Sequence, residues 1–414
     1  MKLWQKILLG ILALLIAVGI YYYPKFVRLN HVQHLFDEDR IAHNFIHMGD
    51  LITTAPLQKS SQPYRFPRKE VDALPATFTY ENTTFNTEEF LDSSQLNALV
   101  IIQNDTLIYE TYARNNSEST NHISWSVAKS FVSAMFGIAM EEGHIKSIDQ
   151  TVEEYLPEMK GTGYEGVTIK DVLQMSTGVG FNEDYGDFNS DINRYGRSFA
   201  WGSSQDEFAR SLKREREPGT FNHYVSINTH ILAMILVRTT GKSLAEYTQE
   251  KIWTPLGMEF DAYWLTDDYG MEMGLGGLNV AARDYAKMGQ VFLHNGKWQG
   301  KQIVPAAWVK ASVTPDAEYL TPGSSNSAHD MGYGYQWWVP AGDQGEFMAR
   351  GIYNQYIYIN PTTQTVIVKL SSNHNFNDMS NPHSSGLVHN ALFRSLGAHF
   401  MPKVEEVAVL EEVE

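Results

Sequence analysis

The chain has 414 residues, 43% hydrophobic and 12% aromatic, which is ample material for a packed core and rules out a disordered or collagen-like chain. A formal net charge of −16 repels phosphate backbones and argues against a nucleic-acid partner. With no cysteine, the chain can have no disulfide, cysteine-bound zinc, iron–sulfur cluster, thiol nucleophile or lipid-modified N-terminal cysteine.

Lys2 and Lys6 precede an uncharged run from Ile7 to Ile20, then Tyr21, Tyr22 and Tyr23. Ending the run at Ile20 gives the length of a signal-peptide core. Ending it at Tyr23 gives the lower limit of a membrane span, with the rings at the interface. Residues 1–23 therefore read as an uncleaved anchor, a cleaved signal or a buried core helix, and the first two send the rest of the chain across a membrane. The early lysines favour a cytoplasmic start and a catalytic part outside the cytoplasm, periplasmic or extracellular, although Lys25 and Arg28 balance them. Residues 24–95 read as a connecting arm. His43 and His47 are spaced to share a helix face, as metal ligands do, but no third ligand is evident. An amphipathic juxtamembrane helix is the plainer reading, and no metal or cofactor is assigned.

Ala98 to Ala113 contains two β-rich runs around Asn104-Asp105, a hairpin signal. Ser126 to Gly143 reads as a buried helix, apolar nearly all round. Short polar helices and a Gly/Asn/Asp-rich stretch, Gly178 to Ser190, follow. Ile227 to Thr240 is a helix ended by Gly241. Tyr333 to Val339, Gln355 to Asn360 and Thr365 to Ser371 read as strands. The expected architecture is α+β. Residues 96–140 and 270–400 form an antiparallel sheet flanked by helices, and 141–269 form an inserted, mainly helical domain. A cleft between the two is the default place for a site.

No GxSxG elbow, phosphate-binding GxxxxGK[ST] loop, HExxH or EF-hand pattern occurs. The motif that stands out is Ser126-Val127-Ala128-Lys129 at a helix start. Its i, i+3 spacing puts both side chains on one helix face. A lysine kept neutral by burial could take the serine proton, and the helix N-terminus aims free N–H groups at a developing oxyanion. A capping serine beside a snorkelling lysine fits the same four residues.

Tyr224-Val225-Ser226 follows about a hundred residues later, and at this point the chain resembles the serine β-lactamase and penicillin-binding-protein superfamily. The surrounding phrases agree: Thr168 to Leu173 leading to Ser176-Thr177-Gly178, Trp253 to Met258, and Gly276 to Met288. The likeness covers roughly residues 98 to 372. Tyr80-Glu81-Asn82 also fits Tyr-x-Asn but precedes the serine, so it reads as a decoy. Where the superfamily has Lys-Thr-Gly or His-x-Gly, this chain has Ala349-Arg350-Gly351-Ile352, and strand alternation should turn Arg350 away. Ala-x-Gly here, with Tyr-x-Ser before it, looks most like the branch of 6-aminohexanoate-dimer hydrolase and related carboxylesterases.

The resemblance implies a β-lactamase/transpeptidase-like fold and a metal-free serine hydrolase of small esters or amides. Ser126 would be acylated and Lys129 would take its proton. Tyr224 would relay a proton to the leaving group, helped by a Lys129 ammonium that lowers its pKa, with Ser226 completing the polar network. The N–H groups of Ser126 and Ile352 would form the oxyanion hole beside Gly351, and Tyr185 would cover the substrate. A penicillin-binding carboxypeptidase or β-lactamase, and an idle membrane-tethered binding protein of the same fold, are the alternatives. His223 and His374 are rim candidates, and at least one of Trp337 and Trp338 belongs to the core.

Overall fold

The computed structural model describes residues 2–401 except 70, 72 and 379. Leu96–Gln103 (β1) turns into Thr106–Tyr112 (β2) through Asn104 and Asp105, at φ 48° and 61°. Short polar side chains tolerate this left-handed geometry, and it matches the twist of the hairpin. The C-terminal part supplies Gly332–Tyr333 (β3), Trp338–Val339 (β4), Phe347–Gly351 (β5), Gln355–Asn360 (β6) and Thr365–Ser371 (β7). All seven join one antiparallel sheet in the order β3-β4-β5-β6-β7-β1-β2. Strands from both ends of the chain meet where Ile367 faces Ile101.

Alternation sends Val100, Ile102, Ile357 and Val368 to one core, and Leu99, Ile101, Tyr358 and Ile367 to another. The helices that matter for the site are α1 (Leu3–Gln33), α2 (Ala128–Glu141), α3 (Asp191–Ala200), α4 (Ile227–Thr240), α5 (Ala282–Leu293) and α6 (Gly386–His399). On the first face α5 lies against the sheet, and α2 packs on α4. On the second, Leu392, Phe393 and Leu396 of α6 cover the strands. Every residue of α2 from Ala128 to Ala139 is buried, as its all-round apolar pattern requires. The α4 helix stops at Gly241, whose φ of 67° suits a left-handed cap.

The stretch Tyr333 to Val339, expected as one strand, is two short strands paired as a hairpin, Tyr333 opposite Trp338. Gly334 has no room for a Cβ beside the Ser312 carbonyl, and Gln336 turns at φ 65°. Trp337 and Trp338 fall in opposite cores.

Within residues 24–95, Thr54–Leu57 pairs with Ala262–Leu265 in a second sheet completed by Leu278–Val280 and His122–Ile123. Leu35, Ile41, Phe45 and Met48 are buried in the main core. Helix α1 buries none of its residues and continues ten residues past Tyr23. Among the described residues it alone is long and apolar enough to cross a membrane, by length and composition. Its last turns are clasped to the body. The Arg28 guanidinium meets both oxygens of Asp268 at 2.8 and 3.1 Å, and the Lys25 ammonium meets Asp268 at 3.2 Å. Trp201, just after α3, stacks on Tyr22 and meets Phe26 edge-on.

Gly137, in mid-α2, makes room for the Trp308 indole, which a Cβ would approach closer than 3.0 Å. Alanine in place of a helical glycine normally stabilises by about 1 kcal/mol. Here overpacking should win, so Gly137→Ala is expected to destabilise by about 1–3 kcal/mol. A lowered midpoint in urea unfolding checks this, and a raised midpoint would mean that the indole moves aside freely.

Candidate active site

Ser126 sits in a 3-10 turn, Trp125–Val127, that runs directly into α2. One turn on, the Lys129 ammonium nitrogen lies 3.2 Å from the Ser126 hydroxyl and donates to the Leu275 carbonyl at 2.5 Å. Lys129 is 1% exposed, and among the described residues no carboxylate lies within ion-pair distance of it. Burial without a counter-ion disfavours the ammonium and lowers its pKa to about 7, with Glu183 pulling weakly the other way. A lysine that is substantially neutral near pH 7, in reach of a serine hydroxyl, can act as its base.

The end of β5 is pressed against this turn. A Cβ on Gly351 would come closer than 3.0 Å to the Ser124 carbonyl oxygen, so glycine is required there by close approach. Ile352 follows and lines the same cleft as Ser126. The residues adjoining Ser126 and Ile352 are strained: Trp125 has φ 46° and Tyr353 61°. Bulky residues rarely adopt such angles, at about 1–3 kcal/mol each, and need surrounding packing to hold them.

Tyr224 stacks on Trp338 at 5.5 Å, and the Lys129 ammonium lies 5.4 Å from its ring centre. Its phenol pKa is raised, mainly by burial and then by the Glu183 charge, while the Ser126 hydroxyl and Arg350 oppose this only in part. The expected lowering by Lys129 is therefore corrected. Tyr224 remains a phenol, suited to giving a proton rather than to holding a negative charge.

Glu183 is the residue that sequence reasoning missed. It accepts from the Ser226 backbone N–H at 2.6 Å and from the Tyr185 hydroxyl at 3.0 Å. Burial pushes its carboxyl up, while Lys129 and these bonds pull it down. Its loop, Phe181 to Ser190, also carries Asp184 and Asp187, and nothing in the string marks which carboxylate turns inward. Tyr185 lines the cleft and packs edge-on to Phe376. Ser226 reaches the network through its backbone N–H and lines a neighbouring pocket.

The cleft is about 380 Å³, with Ser126 in its lining. Arg350 projects to the face opposite Ala349, as alternation demands, yet it lines this cleft, because β5 ends at the rim. The expectation that it turns away from the site is therefore corrected. Its guanidinium rests 5.1 Å from the Trp338 ring centre, and among the described residues it has no carboxylate partner. A second, mostly apolar pocket of about 80 Å³ shares Ser126, Tyr185 and Ile352 with the cleft and is walled by Trp125, Ile192, Tyr195, Met273 and Leu275. His223 and His329 line the cleft, and burial is the main reason the His329 pKa falls to about 4. His374 lies near Glu38, outside the cleft lining. Tyr80 packs against the second core. No cluster with metal-binding geometry occurs among the described residues, and His43 and His47 stack ring on ring.

The Beta-lactamase family profile matches residues 97–385. The 6-aminohexanoate-dimer hydrolase of Paenarthrobacter ureafaciens is 31% identical over 337 residues, covering 79% of this chain and 84% of that one. A solved Bacillus anthracis structure that carries a 6-aminohexanoate-dimer hydrolase name aligns with a TM-score of 0.79 at 27% identity, over 88% of this chain and 95% of that one. EstCE1, a hydrolase with promiscuous acyltransferase activity, aligns at 0.57 and 16% identity, over 74% and 96%, a likeness of fold.

The lysine environment has a pH signature. A base must be unprotonated, so labelling of Ser126 by a fluorophosphonate should rise with pH, with its midpoint near the Lys129 pKa of about 7. Glu183→Gln removes the charge that favours the ammonium, so the midpoint should move to lower pH. Rates that are flat from pH 5 to 9, or an upward move in the variant, would count against this electrostatic account.

Proposed function

The chain belongs to the Beta-lactamase family and is a serine hydrolase of β-lactamase/transpeptidase-like fold, and from that premise we propose that it cleaves small esters or amides through an acyl-enzyme on Ser126. The observation that carries this is the buried Lys129 nitrogen 3.2 Å from the Ser126 hydroxyl, with its pKa near 7. Neutral Lys129 takes the serine proton as the oxygen attacks the carbonyl carbon. The N–H groups of Ser126 and Ile352 receive the oxyanion. Tyr224 then passes a proton to the departing oxygen or nitrogen and is reprotonated from Lys129. Water enters by the same relay and releases the acid. Glu183 holds Tyr185 and the start of α4 in place beside this relay.

The two compartments beside Ser126 support a substrate with unlike ends. Arg350, which among the described residues has no ion-pair partner although Glu183 lines the same cleft, suits an anionic group such as a carboxylate, and the small pocket suits a short apolar group. The 6-aminohexanoate-dimer hydrolases are named for an amide of an amino acid, whose carboxylate is the kind of group Arg350 suits. The same arginine favours a second reading, a penicillin-binding carboxypeptidase or β-lactamase, whose ligands also carry a carboxylate. We place α1 in a membrane as an anchor, with the catalytic body outside the cytoplasm, supported by its length, its apolarity and Lys2 and Lys6 at its start.

Intact mass after fluorophosphonate treatment should show one adduct on the wild type and none on Ser126→Ala, and equal labelling would sink the proposal. Rapid, stable labelling of Ser126 by a fluorescent penicillin would favour the second reading. Tyr224→Phe should slow amides more than nitrophenyl esters, because an amine needs a proton to leave and nitrophenolate does not. Arg350→Met should lower kcat/KM for a carboxylated ester by about 10–100-fold and leave its uncharged methyl-ester analogue nearly unchanged, since a charge-assisted contact contributes about 1.5–3 kcal/mol. Equal losses on the two would exclude Arg350 as the anion contact.

A further inference from the structure

The strained residues beside the site are held by a part of the chain that lies outside the family match. Phe36 and Phe45 belong to the segment just after α1. Phe36 stacks on Tyr353 at 4.9 Å with an interplanar angle of 15°, and meets Trp125 at 5.7 Å. Phe45, fully buried, meets Trp125 at 5.5 Å and Tyr353 at 5.1 Å, both edge-on. Trp125 and Tyr353 are 6.0 Å apart, and Tyr353 continues to Phe376 at 4.2 Å, which in turn touches Tyr185. The four rings Phe36, Phe45, Trp125 and Tyr353 thus form one cluster.

Trp125 directly precedes Ser126, and Tyr353 directly follows Ile352. Both hold positive φ angles that an unsupported bulky residue would leave. Relaxation of Trp125 rotates the peptide that carries the Ser126 N–H, while relaxation of Tyr353 frees the chain immediately after Ile352 and loosens the backbone that sets its N–H, and hydrogen bonds to an oxyanion weaken steeply with misdirection. From this geometry we infer that Phe36 and Phe45 are positioning residues for the oxyanion hole, so that the segment following α1 is part of the catalytic apparatus as well as a connection. The inference rests on the reading of Ser126 and Ile352 as the oxyanion donors. It goes beyond that reading by assigning the donors' alignment to residues 34–45.

The test uses the full-length chain in detergent micelles and 4-nitrophenyl acetate. Wild type must first show acetyl transfer to Ser126 by intact mass. Turnover that survives in Ser126→Ala would overturn the underlying reading, independently of the phenylalanine variants. Phe36→Ala is then expected to lower kcat by about tenfold or more with KM within about twofold, because the lost interaction is realised in the transition state. Its thermal midpoint should fall far less than that of Phe45→Ala, whose ring is fully buried. Phe36→Tyr, which keeps the stacking face, should recover most of kcat. Should Phe36→Ala fail to fold, Phe36→Leu keeps the bulk, loses the stack and reads the same kcat effect. A folded Phe36→Ala or Phe36→Leu with wild-type kcat would overturn the inference, as would losses that merely follow the unfolded fraction.

Discussion

Strand β5 ends so close to the Ser124 carbonyl that position 351 has no space for a side chain, and the rest of the site is arranged around that contact. It brings the end of a strand from the C-terminal half against the first turn of α2, which lies more than two hundred residues earlier in the chain. Ser126 and Ile352 become neighbours through it. The seven-stranded sheet fixes β5 by pairing it with β6 along five residues, Phe347 to Gly351. The buried helix α2 fixes the other partner. Neither element could shift without opening the contact or driving two backbones together.

Residue order showed most of what local pattern controls. The helix Ile227–Thr240 and the strands Gln355–Asn360 and Thr365–Ser371 were legible because period, turn residues and a terminal glycine all agree. Ser126 and Lys129 were legible because three residues of spacing on a helix imply contact. Glu183 was not, since its role depends on a loop folding inward against Ser226, a contact more than forty residues distant in the chain. Arg350 was misjudged for a related reason. Alternation says which face of a strand a residue takes, but not that the cleft wraps around the strand's end. Tyr224 was misjudged because its ionisation depends on burial and on Glu183, neither of which the motif contains.

The buried charges also explain how a site can be both apolar and reactive. Lys129 has hydroxyl and carbonyl partners but, among the described residues, no ion pair, so desolvation is the largest influence on its proton affinity. Lys287, buried equally deeply in α5, is instead paired, 2.9 Å from Asp284. Among the described residues, Lys287 has a carboxylate beside it and Lys129 does not.

The clasp of Lys25 and Arg28 on Asp268 changes what kind of tether α1 can be. A helix of 31 residues is about 46 Å long at 1.5 Å per residue, against about 30 Å of bilayer hydrocarbon. With α1 in a bilayer as proposed, the surplus stands outside the hydrocarbon as a stalk bolted to the body, where a flexible leash would let the body tumble. The cleft is then carried at a fixed height and tilt above the lipid and sweeps a plane as the protein drifts. Its encounters become two-dimensional: targets anchored at that height are met often, while those projecting far beyond it pass overhead.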